Sequence, residues 1–295
     1  MYIVLGKNGY IAEAIVRELK SHNLPHVAWS RTDVNYLDYH TFKREIINIK
    51  INNHLSDVVS SHSIKVINCA GFIGKPNVDA CELAKADCIE GNILFPQMLS
   101  LLSIEMNFTF VQISSGCIYG GYDKHFTEKD PSNFDFQNGS FYSGTKALAE
   151  KIIQKINKNS YIFRLRIPFD EYASPRNYIT KLLSYDKLLN LDNSLSHRAD
   201  FAKYSIDLIE KQVPKGIYNI TNKGFIDAKG VIKLIEKYKL SNKNFKFFDN
   251  IESFGKEVIA PRSNCILDTS KIEKYIKIRT TKEALEDALS KYNKL

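Results

Sequence analysis

MYIVLGKNGYIAEAIVRELKS, residues 1–21, decides the fold. A short apolar run, Met1–Leu5, enters Gly6-Lys7-Asn8-Gly9-Tyr10-Ile11-Ala12, and an amphipathic stretch follows. This is a G-x-x-G-x-x-A form of the loop that carries a chain from a first strand into a helix facing a dinucleotide. Glycines let the backbone turn tightly and approach a pyrophosphate, and the helix N-terminus offers free N–H groups and a positive dipole end. Ala12 is small enough for the helix to pack on its strand. A glycine pattern alone is weak; a strand before it and a helix after it supply the confirming context. Gly6, Asn8, Gly9, Tyr10 and Ile11 are therefore expected to bind cofactor.

Outward from this loop, β-rich apolar runs recur at HVAW (26–29), IKVINCA (64–70), FTFVQIS (108–114) and YIFRLRI (161–167), with room for helices between them. The rhythm predicts βαβ units and a parallel sheet. Ala70, at the end of the third run, is expected near the cofactor. Ala147, Leu148, Ile152 and Ile153 give 141–156 helical apolar spacing. Past about residue 168 the alternation breaks into shorter elements, among them GIYNI (216–220), FKFF (245–248) and a closing helix from Thr281. The expectation is an α/β fold: a Rossmann-type, doubly wound parallel sheet over 1–168, and a smaller substrate lobe over 169–295, partly interleaved with the sheet.

The bulk numbers fit. The 295 residues are 44% hydrophobic and 25% charged, ordinary for a folded soluble protein. No run of 18 apolar residues predicts a membrane span, and the N-terminus lacks the basic leader and apolar region of a signal peptide. Five cysteines without a C-x-x-C pair suggest free thiols in a reducing, cytoplasmic setting. The charge of +8 suits an anionic ligand such as a nucleotide, or merely a lysine-rich surface. No nucleic-acid motif or basic tract is present, so no nucleic-acid partner is expected.

After the second strand comes AWSRTDVNYLD (28–38). An NAD site usually places a carboxylate there. Ser30 and Arg31 stand there instead, and a guanidinium beside a hydroxyl suits the 2′-phosphate of NADPH. Arg31 as a solvated loop residue, or Asp33 as the acid after a longer strand, remain open.

SSGCIYGG (114–121) ends the fourth run, and FYSGTK follows at 141–146. Tyr142 and Lys146 are four apart and share a helix face. A lysine beside a phenol lowers its pKa and can bind ribose. The phenol can then protonate a carbonyl oxygen as hydride arrives at carbon, with the Ser115 hydroxyl holding that oxygen.

At these residues the chain resembles the extended short-chain dehydrogenase/reductases, and within them the dTDP-4-dehydrorhamnose reductase branch, on NVDACE (77–82) and GNILFPQMLSLL (91–102). It is more similar still to the UDP-4-keto-6-deoxyglucose 3,5-epimerase/4-reductases that form UDP-rhamnose. GKPNVDACE (74–82), GCIY (116–119), GSFYSGTKALAE (139–150) and SPRNYITK (174–181) carry that likeness. It runs from Met1 to about Asn222. The resemblance implies that Ser115, Tyr142 and Lys146 are the reductase set and that Cys117 and Lys181 are the epimerisation pair. It implies that Asn92 lies near the active site, and that Pro175, Arg176 and Asn177 lie near substrate. It also implies a UDP- or dTDP-4-keto-6-deoxyhexose substrate and a homodimer. Tyr119 replaces the plant-type phenylalanine, and SHRADF (196–201) departs from the usual run there.

A 4-keto sugar is acidic at C3 and C5 because the ketone delocalises the carbanion. Inverting those centres needs a base on one face and an acid on the other. A thiol near a lysine carries enough thiolate to act as base; which of Cys117 and Lys181 takes the proton stays open. The bland alternative for Cys117 is core filling, the role expected of Cys69, Cys81, Cys88 and Cys265. His62, His125 and His197 lack metal-ligand spacing and are expected on surface or loops, with no metal site. A plain 4-keto reductase, or a non-catalytic reductase-like subunit, are the competing readings. A 4,6-dehydratase fits less well, since Gly116 and Cys117 stand where its acidic pair would be.

Overall fold

The computed structural model describes residues 1–52, 64–75 and 77–292; His62 lies outside them. The main sheet has strands β1 (Tyr2–Leu5), β2 (His26–Trp29), β3 (Lys65–Asn68), β4 (Thr109–Ser115), β5 (Tyr161–Leu165) and β6 (Gly216–Asn219). The longer helices are α1 (Tyr10–Ser21), α2 (Tyr39–Asn52), α3 (Phe95–Glu105), α4 (Phe141–Ile156), α5 (Tyr178–Ser184), α6 (Arg198–Glu210), α7 (Ala228–Lys237) and α8 (Thr281–Ser290). Every sheet pair is parallel, in the order β2-β1-β3-β4-β5-β6. The order reverses between β1 and β3. Ligands of open α/β sheets bind beyond the carboxyl ends of the strands at such a switch point.

Side chains alternate between two cores, as a sheet covered on both faces requires. Tyr2, Val4, Ile67, Val111, Phe163 and Tyr218 face α1 and α6. Ile3, Leu5, Val66, Phe110, Ile162 and Ile217 face α2, α3 and α4. The chain after residue 168 builds a third core from α5, α7 and α8, around Phe169, Leu188 and Leu195. It also returns β6 and α6 to the sheet. Thr280 and Glu283 start α8 with a reciprocal capping box. Strand β5 stops at Leu165, and Ile167 takes φ +37°, a backbone region costly for a β-branched residue. No helix among the described residues is long and apolar enough to cross a membrane.

One charged pair sits inside the fold. Arg164 on β5 meets Glu150 on α4 through Nη2–Oε2 at 2.6 Å and Nε–Oε1 at 3.0 Å, with both side chains almost fully buried. Deleting one partner leaves an uncompensated buried charge. Glu150→Ala is expected to cost about 3–5 kcal/mol in denaturant unfolding; a loss below about 1 kcal/mol would mean that water or another anion reaches Arg164.

Candidate active site

Two glycines build the loop after β1. Gly6 takes φ +82°, and a Cβ there would lie 3.0 Å from the Ala70 backbone, so the loops after β1 and β3 touch at the switch point. Gly9 caps α1, and a Cβ there would lie 2.9 Å from the Gly6 carbonyl that its own N–H contacts at 2.8 Å. Asn8 is exposed and Ile11 partly buried. The Tyr10 ring is buried under the Arg198 guanidinium, 4.3 Å from its centroid, and burial pushes its phenol up. Tyr10 thus packs beneath the loop.

At the rim, the Ser30 N–H and hydroxyl both reach Asp33 Oδ2 at 2.7 Å, and the hydroxyl also meets that of Thr32 at 2.7 Å. Asp33 pairs with Lys7 at 2.8 Å, and Lys7 and Ser30 together hold its carboxyl well below the usual range. Ser30 is thus hydrogen-bonded within its own turn. Arg31 is exposed and makes no ion pair among the described residues.

Ser115 is the last residue of β4 and caps the single 3₁₀ turn Gly116–Ile118; its Oγ accepts the Cys117 N–H at 3.1 Å. That bond leaves the hydroxyl proton free to point outward. Ser140 caps α4 by accepting the Ser143 N–H at 3.1 Å, and the Phe141 N–H is held by Glu82 Oε1 at 2.7 Å. These contacts fix Tyr142 in the first turn and Lys146 one turn on. Burial, with Cys117 alongside, raises the Tyr142 phenol, while a hydrogen bond with Ser115 works the other way. Lys146 Nζ donates to the Ile113 carbonyl at 3.2 Å; burial lowers its pKa against the pull of Glu150 and nearby thiols. Ser115, Cys117, Tyr142 and Lys146 thus gather beyond β4. A hydroxyl, a phenol and an ammonium so placed can hold and protonate a carbonyl oxygen.

Four other expected residues fall differently. Asn92 sits in a π-turn, Glu90–Leu94, and is buried. Its amide accepts from the Phe72 N–H at 2.9 Å and donates to the Phe72 carbonyl at 2.8 Å, with Cys88 and Thr145 both at 3.2 Å. Asn177 is fully buried and caps α5; its amide is spent on Asp170, Tyr172 and Ile179 backbone groups. Asn177 spends all its amide groups on the scaffold, whereas the Asn92 oxygen accepts a single hydrogen bond. Arg176 is exposed, whereas Lys181 on α5 is partly buried. Burial lowers the Lys181 pKa, and Arg176 and Arg262 push the same way. No hydrogen bond or ion pair joins Lys181 to Cys117 among the described residues.

Sequence reading missed the links between the halves. Asp79 grips Arg262 at 2.8 and 2.9 Å and accepts the Ala260 N–H at 2.8 Å, which draws the 260–264 segment over the site. Beside it opens a cavity of about 660 Å³ lined by Tyr122, Asn190, Lys229, Phe247, Phe248 and Arg262. A hollow of about 420 Å³ near Ser160 and Gly216 lies by the amino ends of β5 and β6, remote from this chemistry. His197 is buried and caps α6, which corrects its surface placement. It lies 3.3 Å from Glu171 and 3.1 Å from Arg279. Asp170, Glu171 and His197 cluster, but Arg198 Nε stands 2.9 Å from Asp170 and balances the group as ion pairs. All five cysteines are free, with Cys81, Cys88 and Cys265 fully buried.

A parallel sheet with a glycine loop at its switch point and a Ser/Tyr/Lys group beyond β4 defines the class of Rossmann-type reductases. The chain belongs to the RmlD substrate binding domain family, whose model matches residues 1–294. A trifunctional UDP-glucose 4,6-dehydratase/UDP-4-keto-6-deoxy-D-glucose 3,5-epimerase/UDP-4-keto-L-rhamnose-reductase of Arabidopsis thaliana is 34% identical over 78% of this chain; the match covers 35% of that longer protein. A bifunctional dTDP-4-dehydrorhamnose 3,5-epimerase/dTDP-4-dehydrorhamnose reductase, also of Arabidopsis thaliana, is 31% identical over 78% of each chain. The fold matches a UDP-rhamnose synthase from Acanthamoeba polyphaga mimivirus with a TM-score of 0.86, at 24% identity over 98% of each chain. It matches a dTDP-4-dehydrorhamnose reductase from Bacillus anthracis, solved in complex with NADP, with a TM-score of 0.79 at 16% identity, over 99% of this chain and 97% of that one.

Proposed function

We propose that the chain inverts C3 and C5 of UDP-4-keto-6-deoxyglucose and then reduces its 4-ketone with NADPH, giving UDP-L-rhamnose. The observation that carries this reading is Cys117 in the turn that Ser115 caps, against Tyr142. A reductase needs Ser115, Tyr142 and Lys146; a thiol at that spot serves a step that reduction lacks. The bifunctional Arabidopsis relative, matched over most of both chains, supports pairing the two activities.

Each residue then has a task. The N-terminus of α1, opened by Gly6 and Gly9, binds the pyrophosphate. NADPH, when bound, supplies the hydride. Ser115 donates to the ketone oxygen, Tyr142 gives it a proton, and Lys146 steadies the resulting phenolate and the ribose. Arg176, exposed near Lys181, offers a cation to a substrate diphosphate. The test is product identification by NMR after incubation with NADPH and UDP- or dTDP-4-keto-6-deoxyglucose. A rhamnose product supports both steps, an unepimerised 6-deoxyhexose leaves only the reductase, and no turnover removes the enzymatic reading.

Arg31 carries the cofactor preference. A charge-assisted contact to the 2′-phosphate is worth roughly 1.5–3 kcal/mol, so kcat/KM should favour NADPH over NADH by about ten- to a hundred-fold. Arg31→Ala should erase most of that ratio, and a wild type that uses both equally would refute the assignment. A homodimer is also proposed. Leu94, Leu101 and Ile104 are 49–56% exposed around α3, an apolar face suited to a second copy. A monomer mass in light scattering at micromolar concentration would count against it.

A further inference from the structure

Arg164 and Arg166 stand two residues apart, and among the described residues only Arg164 has a carboxylate partner. Arg164 has Glu150. Arg166 is 1% exposed and has no carboxylate partner among the described residues. Its Nη1 donates to Ser263 Oγ at 3.0 Å and reaches Cys117 Sγ at 3.7 Å. Its Nη2 donates to the Ser263 carbonyl at 2.7 Å and to Asn193 Oδ1, while Nε has no partner. Every oxygen on this guanidinium is neutral. A buried charge without an anion is costly enough that proteins neutralise or pair it.

The ionisable groups near Arg166 are few. Tyr122 and Tyr178 are pushed up by burial, Tyr122 to about 12, and stay neutral near pH 7. Cys265 is pushed up by burial as well and points its thiol at the Gly116 carbonyl, 3.5 Å away. Cys117 remains. It is partly exposed, and its sulfur is the ionisable atom that Arg166 touches. Around Cys117 stand Tyr142 and Lys146 from α4, Cys81 and Cys88 from the 79–89 segment, and Cys265. Of these, Lys146 alone is a cation, and its ammonium is held by the Ile113 carbonyl.

We propose that Arg166 is the positioning residue that holds Cys117 as a thiolate and so makes it the base at C3 and C5. This rests on the acid/base reading of Cys117 above. The thiolate takes a proton from the sugar C–H bond and becomes a thiol, and the electron pair passes to the ketone oxygen as an enolate. Lys181 gives a proton to the opposite face of the carbon. Exchange with water then returns a proton to Lys181 and removes one from Cys117.

The experiment follows alkylation of Cys117 by iodoacetamide in the full chain, read by peptide mass spectrometry from pH 5 to 10. Arg166→Gln should cut the alkylation rate at pH 7 about tenfold while leaving the rate at pH 10 nearly unchanged, and Arg166→Lys should recover most of the loss. Deuterium exchange at C3 and C5 should fall about tenfold in Arg166→Gln and return as pH is raised, a rescue that mere misfolding does not allow. An unchanged alkylation rate at pH 7 in an Arg166→Gln protein that still binds NADPH overturns the proposal. If the rate depends on Arg166, yet Cys117→Ala exchanges normally, the ion pair stands and the epimerase reading falls.

Discussion

Tyr142→Phe is expected to remove about 10²–10⁴-fold of the reduction rate, the usual contribution of a positioned general acid. The ring stays in place because its packing and the α4 cap do not involve the hydroxyl: Ser140 and Glu82 hold the first turn by the Ser143 and Phe141 N–H groups. NADPH affinity should therefore barely change, since the glycine loop and Lys146 are untouched. The loss should appear in kcat with little change in KM, because the proton is needed only as hydride arrives. Burial shifts the phenol upward, so the protonated form waits for substrate. Stopped-flow oxidation of NADPH with the 4-keto sugar measures the step; a Phe variant that reduces at near the wild-type rate removes Tyr142 from the chemistry.

Much of the frame was legible because it is local. The loop Gly6–Ala12 and helix Phe141–Ile156 need only near neighbours, and they appear where spacing places them. GIYNI (216–220) read as a short element of the C-terminal lobe, and only the fold shows that Gly216–Asn219 is the strand beside β5. Distances across the sequence were not legible. Arg166 finds Asn193 and Ser263, 27 and 97 positions later, and nothing in the local pattern points to either. A signal was present: the apolar run 161–167 carries two arginines, Arg164 and Arg166, and each buried guanidinium needs hydrogen-bond partners from elsewhere in the chain. The resemblance placed Asn92 and Asn177 near the active site and substrate; the fold gives them scaffold hydrogen bonds, to Phe72, Cys88 and Thr145 for Asn92 and to Asp170, Tyr172 and Ile179 for Asn177, which a motif cannot distinguish from ligand contact. His197 looked isolated because its partners Glu171 and Arg279 are remote in sequence or outside any ligand spacing.

Cys117→Ala should separate the two chemistries. Removing the thiol takes away a base but neither the Ser115 hydroxyl nor the Tyr142 phenol. The Cys117 N–H that Ser115 accepts is backbone and survives the substitution. Exchange of the C3 and C5 hydrogens with deuterated water should nearly vanish, by about 10²-fold or more, while NADPH still binds. Lys181→Ala should block inversion and leave some exchange, since the thiol formed by abstraction can swap its proton with solvent and return it to the same face. The measurement is deuterium incorporation by NMR without NADPH, so that reduction cannot drain the intermediate. With NADPH present, the Cys117→Ala protein should reduce the unepimerised ketone slowly and form little rhamnose. Reduction then depends on a sugar the enzyme has not prepared, whose C3 and C5 substituents lie on the wrong faces. Full exchange in Cys117→Ala would return the cysteine to core filling, and inversion would need another base on this chain or a separate epimerase.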